Sequence, residues 1–223
     1  MLPAEARAGQ MRWIIIMAFA AVAVSLLALR ARGATAAMPQ EGAPAPDFHG
    51  QMVYGGYIRP IKLADYKGYK LVLYFYPKDN TPGCTKEACA FRDGFAKFKA
   101  AGIYVLGSSI DNAQSHAAFI QKYSLPFPLL LDPDKKIATA YGAANGIPIL
   151  GLNRRITFVI DQHGKIVKVY PAVDPATNAA EIIQVYAATP VATPSPLPTA
   201  VPTATAVKKH QAAPTEEDDS DNQ

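Results

Sequence analysis

Two cysteines are present in 223 residues, and both fall in one stretch, Pro77-Lys-Asp-Asn-Thr-Pro-Gly-Cys-Thr-Lys-Glu-Ala-Cys89. A thiol can serve as a nucleophile, a redox centre, a metal ligand or a staple. Two cysteines are too few for a disulfide framework, and no second pair completes a zinc site. Cys84 and Cys89 are therefore redox-active, structural or incidental.

The residues before Cys84 describe a helix start. Thr81 suits an N-cap, and Pro82 suits the first turn, where a missing amide hydrogen costs nothing. Gly83 allows close backbone approach. Cys84 then sits in the first turn, facing free amides and the positive end of the helix dipole. Both favour a thiolate, the nucleophilic form, and a nearby arginine would add to the effect. Cys89 lies about 140° around the helix and roughly 7.5 Å further along it. Their α-carbons would be roughly 8.7 Å apart in an intact helix, beyond disulfide reach. A Cys84–Cys89 bond requires the first turns to unwind, which suits a bond that forms and breaks better than a permanent staple.

The elements that position this stretch follow from hydrophobic patterning. Residues 71–76, LVLYFY, form a continuous apolar run ending at Pro77, as expected of a strand buried on both faces. Residues 84–100 carry Phe91, Phe95 and Phe98 at helical spacing. Residues 103–106 give another strand, and Asp111 reads as the cap of a helix through about Tyr123. Residues 129–131 read as a short strand and 134–141 as a short helix. Strands at 156–160 and 165–170 flank Asp161-Gln-His-Gly164, a hairpin, and 176–187 form a closing helix. This is an α/β chain with a central mixed sheet flanked by helices.

Both ends of the chain differ from its middle. WIIIMAFAAVAVSLLAL (13–29) lies between Arg12 and Arg30. That is the lower limit for a spanning helix and slightly long for a signal-peptide core. Ala34-Thr35-Ala36 offers a cleavage site, but Arg30 and Arg32 argue against clean export. Residues 1–37 are thus expected to be a membrane anchor or signal sequence, with an uncleaved anchor favoured. The folded domain, 38–187, would then face outside the cytoplasm of a bacterial-type envelope, although inverted orientation stays open because basic residues flank both ends. Residues 188–223 combine a proline-, threonine- and alanine-rich tract with an acidic run, composition expected of a disordered tail. The net charge of +4 is spread thinly, with no basic face for nucleic acid. His49, His116, His163 and His210 do not pair at ligand spacing and are assigned no chemistry.

The motif itself resembles a known family. PKDNTPGC matches the P-x-x-x-T-x-x-C pattern of the peroxiredoxins, and TPGCTKEAC resembles their Q type, the bacterioferritin comigratory protein subfamily. GAPAPDF (42–48), YSLPFPLLLD (123–132) and RITFVID (155–161) are similar to other parts of the family pattern. The resemblance implies a thioredoxin-like fold and reduction of hydrogen peroxide or organic hydroperoxides without a cofactor. Cys84 corresponds to the peroxidatic cysteine and Cys89 to the resolving cysteine, joined as an intramolecular disulfide during turnover. Thr81 would contact the peroxide, Pro77 would shield the pocket, and Arg155 would stabilise developing charge. Glu87, one turn after Cys84, would orient that arginine. Arg154 is adjacent, and alternation along a strand admits only one of the two. Thioredoxin or a thioredoxin-like dithiol is the implied reductant, and a monomer the implied state. The alternatives are a thiol–disulfide oxidoreductase, which C-x4-C fits poorly, and a tethered non-enzymatic domain with an inert disulfide.

Overall fold

A computed structural model describes residues 37–144, 148–186 and 205–206. The chain divides into two units, Met1–Ala37 and Met38–Gln223, and the described residues lie in the second apart from Ala37. The apolar N-terminal run and most of the C-terminal tail fall outside the described residues. Among those described, no helix is long and apolar enough to cross a membrane.

Among the described residues, eight strands form one mixed sheet: β1 (His49–Tyr54), β2 (Tyr57–Lys62), β3 (Lys70–Phe75), β4 (Ile103–Ser109), β5 (Leu129–Leu131), β6 (Ile156–Ile160), β7 (Ile166–Tyr170) and β8 (Thr205–Ala206). Their order is β7-β6-β3-β4-β5-β1-β2-β8. The β3–β4 and β4–β5 pairs are parallel and the others antiparallel. The α-helices described alongside the sheet are α1 (Pro82–Asp93), α2 (Phe95–Ala100), α3 (Ala113–Tyr123), α4 (Lys136–Ala140) and α5 (Asn178–Tyr186).

Every residue of β3 is buried, as its apolar run requires. Alternate side chains serve opposite layers. Leu71, Leu73 and Phe75 join Phe158, Ile137 and Tyr141 on one face. Val72 and Tyr74 join Phe91, Phe98, Phe119 and Ile182 on the other. Cys84 belongs to this second layer.

Several boundaries depart from expectation. The helix expected over 84–100 is two helices, α1 and α2, joined at Gly94. A β-carbon there would stand 3.0 Å from Ile183 of α5, so the break coincides with a close approach. Asn112, not Asp111, caps α3, its side chain accepting from the Ser115 amide at 2.9 Å. Asp111 instead binds the Asp79 amide. The β1–β2 hairpin carries no expectation, and the tail contributes a two-residue pairing with β2 through Thr205 and Ala206.

Candidate active site

The site lies where β3 ends. Register pairs Phe75 with Ser108 of parallel β4 and with Ile156 of antiparallel β6. Because β6 runs the other way, Arg155, just before its first residue, stands beside the exit of β3. The loop 76–81 leaves that exit and starts α1. Residues distant in sequence are thereby gathered at the carboxyl ends of the parallel strands, where open α/β sheets usually carry their sites.

Pro82 occupies the first helical turn as expected. Thr81 has the extended backbone of an N-cap, but its side chain makes no cap hydrogen bond; the hydroxyl donates to the Lys78 carbonyl at 3.0 Å. This corrects the capping expectation for its hydroxyl. Pro77 and Thr81 are half-buried at either end of the loop.

Cys84 is 1% exposed. Arg155 Nη2 donates to Cys84 Sγ at 3.3 Å, and its Nη1 donates to Glu87 Oε2. Arg155 is half-buried and reaches the Cys84 sulfur, while its neighbour Arg154 is exposed. Gly83 permits this approach: a β-carbon at that position would stand 3.1 Å from Arg155 Nη2.

The electrostatics are those of one fixed cation between two acids. Burial pushes the Glu87 carboxyl up to about 7, against the pull of Arg155. Glu87 Oε1 is buried without a hydrogen-bond partner. Burial disfavours the Arg155 charge, but Glu87 and Cys84 outweigh it and raise its pKa. The Arg155 guanidinium thus faces the Glu87 carboxyl through Nη1 and the Cys84 sulfur through Nη2. Tyr74 walls the site beneath, stacked on Phe91 at 4.7 Å and on Tyr76 at 5.5 Å.

Cys89 is half-buried, further along the same unbroken helix. Both cysteines are free thiols. Arg92, one turn beyond Cys89, donates to the Tyr123 carbonyl at 2.9 Å and ties the end of α1 to the end of α3. Among the described residues no cluster suited to a metal ion occurs. A cavity of about 380 Å³ lies at the opposite end of the sheet, lined by Leu71, Ile160 and His163, and no candidate site residue borders it.

Sequence reasoning missed a buried network beside the loop, built on Asp79 and His116. Tyr76 and Ser115 hydroxyls donate to the Asp79 carboxylate, each at 2.7 Å, and His116 Nδ1 lies 2.9 Å from it. The signal was a polar residue, His116, on the face of α3 that also buries Phe119.

Residues 42–169 match the model of the AhpC/TSA family. This chain belongs to the AhpC/TSA family, as a peroxiredoxin of the Q type. Peroxiredoxin Bcp of Bacillus subtilis is 40% identical over 148 residues, 64% of this chain and 92% of that protein. A chloroplastic peroxiredoxin Q of Sedum lineare is 48% identical over 112 residues, 50% of this chain and 60% of that one. The solved structure of Xanthomonas campestris bacterioferritin comigratory protein aligns with a TM-score of 0.58 at 30% identity, covering 68% of this chain and 96% of that one. This peroxiredoxin thus has the thioredoxin-like fold expected of it, and its class of activity is thiol-dependent peroxide reduction.

Proposed function

We propose that this peroxiredoxin reduces hydrogen peroxide and organic hydroperoxides in a cycle that begins at Cys84 and closes through Cys89. The observation that carries the reading is the buried Cys84 sulfur 3.3 Å from Arg155 Nη2, at the first turn of α1. The Cys84 thiolate attacks the nearer peroxide oxygen. The O–O bond breaks, and the leaving oxygen takes a proton as water or alcohol. Sulfur gives up two electrons and becomes a sulfenic acid. Arg155 offsets negative charge on the sulfur and on the departing oxygen. Thr81 contacts the peroxide, Pro77 limits water entry, and Glu87 orients Arg155.

In the second step the Cys89 thiolate attacks the Cys84 sulfur. An S–S bond forms, the S–O bond breaks, and hydroxide leaves as water. An external dithiol of thioredoxin type then reduces the disulfide and is itself oxidised. The Xanthomonas campestris protein has alkyl peroxide reduction activity, which favours including organic hydroperoxides here. The subfamily resemblance favours a monomer. The apolar run 13–29 favours a membrane-held or exported domain facing outside the cytoplasm; protease accessibility in intact cells tests that placement.

The cycle is tested by mixing the reduced full-length chain with one equivalent of peroxide and counting free thiols against time. The expected result is loss of both thiols. Cys84→Ser should abolish it, and Cys89→Ser should stop at one oxidised sulfur. Unchanged consumption in Cys84→Ser would refute the assignment.

A further inference from the structure

The loop between β3 and α1 carries Pro77 at one end and Thr81 at the other, and something must hold it while α1 changes. Its backbone contains Asn80 at φ 57°, a left-handed conformation that non-glycine residues adopt at a cost. Such a conformation persists only where its surroundings impose it. The hydrogen bonds at Asp79 supply that constraint. The Asp79 amide donates to Asp111 Oδ2 at 2.8 Å. Its Oδ1 accepts from Tyr76 Oη at 2.7 Å. Its Oδ2 accepts from Ser115 Oγ at 2.7 Å and lies 2.9 Å from His116 Nδ1.

The far side of the clamp is equally fixed. His116 Nε2 lies 3.3 Å from the Leu130 carbonyl, so both ring nitrogens face oxygen acceptors. Ser109 Oγ donates to Asp111 Oδ2 at 2.7 Å. The side chains of His116 and Asp79 are 0% and 1% exposed. Burial pushes the Asp79 carboxyl up, but hydrogen bonds from His116, Tyr76 and Ser115 outweigh it and leave it below the ordinary carboxylate range. The cluster therefore joins the loop to β4, α3 and β5 through an ionised carboxylate. None of its hydrogen bonds involves the Cys84 sulfur, Arg155 or Cys89.

We propose that Asp79, clamped by His116, Ser115 and Tyr76, is a positioning residue that holds Pro77–Thr81 as the fixed wall of the peroxide pocket. This rests on the peroxidase reading and assigns the clamp to one step of it. Peroxide attack needs Thr81 and Cys84 held in register. Disulfide formation needs α1 to loosen after Thr81, on the other side of the clamp. Weakening the clamp slows the first step and spares the second.

The test measures both rates in the full-length chain, wild type against Asp79→Asn and the milder Ser115→Ala. Oxidation of Cys84 is second-order in peroxide, and disulfide formation is first-order. Asp79→Asn should lower the second-order constant by about tenfold or more, since small misplacements at a reacting centre are expensive. Ser115→Ala should lower it less, and the first-order constant should stay within about twofold in both. Equal slowing of both steps, or unchanged oxidation with a lowered melting temperature, overturns the proposal in favour of a merely structural pair. A wild type that reacts no faster than free cysteine would instead remove the peroxidase reading. One readout is independent of activity. The Asp79 amide, bound to Asp111 Oδ2 at 2.8 Å, reports the clamp itself. Its hydrogen exchange in the reduced protein should rise by about tenfold in Ser115→Ala, with amides of α1 and β3 unchanged. No change at residue 79, or a uniform rise, also overturns it.

Discussion

Lys86 lies between the two cysteines on the exposed side of α1, in a helix that must open before Cys89 reaches Cys84. The far end of α1 is pinned by the fully buried Phe91 and by Arg92 on Tyr123, so opening is confined to the turns that contain Lys86. Substituting it changes helix propensity with little change in packing. Glycine in a helix interior costs about 1 kcal/mol relative to alanine. If the opened form precedes bond formation, Lys86→Gly should form the disulfide about fivefold faster than Lys86→Ala, with wild type between. The same difference should make the reduction potential of the pair about 20 mV more negative in the glycine variant, because the unwound oxidised form loses less. The assay is acid quench after excess peroxide, alkylation, and mass measurement of intermediate and disulfide. The oxidation step serves as an internal control and should not vary. Equal resolution rates, or glycine slower than alanine, would refute helix opening as the gate.

Three further outcomes follow from the site. Arg155→Gln should slow Cys84 oxidation by about 10²–10³-fold, the usual loss for a preorganised donor, with Arg155→Lys intermediate; stopped mixing with limiting peroxide reads both. Glu87 has a raised carboxyl pKa, so its contribution to stability is full below about 4.5 and is lost as pH rises through about 7. Wild type should therefore lose on the order of 3 kcal/mol relative to Glu87→Gln between pH 4.5 and 8, measured by denaturant unfolding, and parallel pH profiles would contradict this. Gly83→Ala places a methyl group 3.1 Å from Arg155 Nη2 and should slow oxidation while leaving the melting temperature within a few degrees.

The parts of this fold that were legible were those with local causes. β3 announced itself because both of its faces are buried, and β6 and β7 because a turn with Gly164 at φ 80° separates two apolar runs. Cys84, Pro82 and Gly83 were legible because helix initiation is written in adjacent residues. Arg155 was distinguishable from Arg154 only through the motif, since nothing local tells which neighbour faces inward. The β1–β2 hairpin was not legible: its burial does not alternate cleanly, and Pro60 within β2 argues against a strand until the β8 pairing is seen to involve Tyr57 and Ile58 and not Pro60. The break at Gly94 depends on α5, nearly ninety residues later. Asp79 and His116 are separated by 37 positions, and neither looks unusual until β4 and α3 bring them together.

The central claim is that Arg155 and the start of α1 make one buried sulfur unusually reactive toward peroxide. The most direct measurement is the second-order rate constant for hydrogen peroxide with Cys89→Ser, where Cys84 is the single remaining thiol, set beside free cysteine at the same pH. The expected result is a constant about a thousandfold or more above free cysteine, falling steeply when Arg155 is replaced. A constant within about tenfold of free cysteine, unmoved by that replacement, would contradict it.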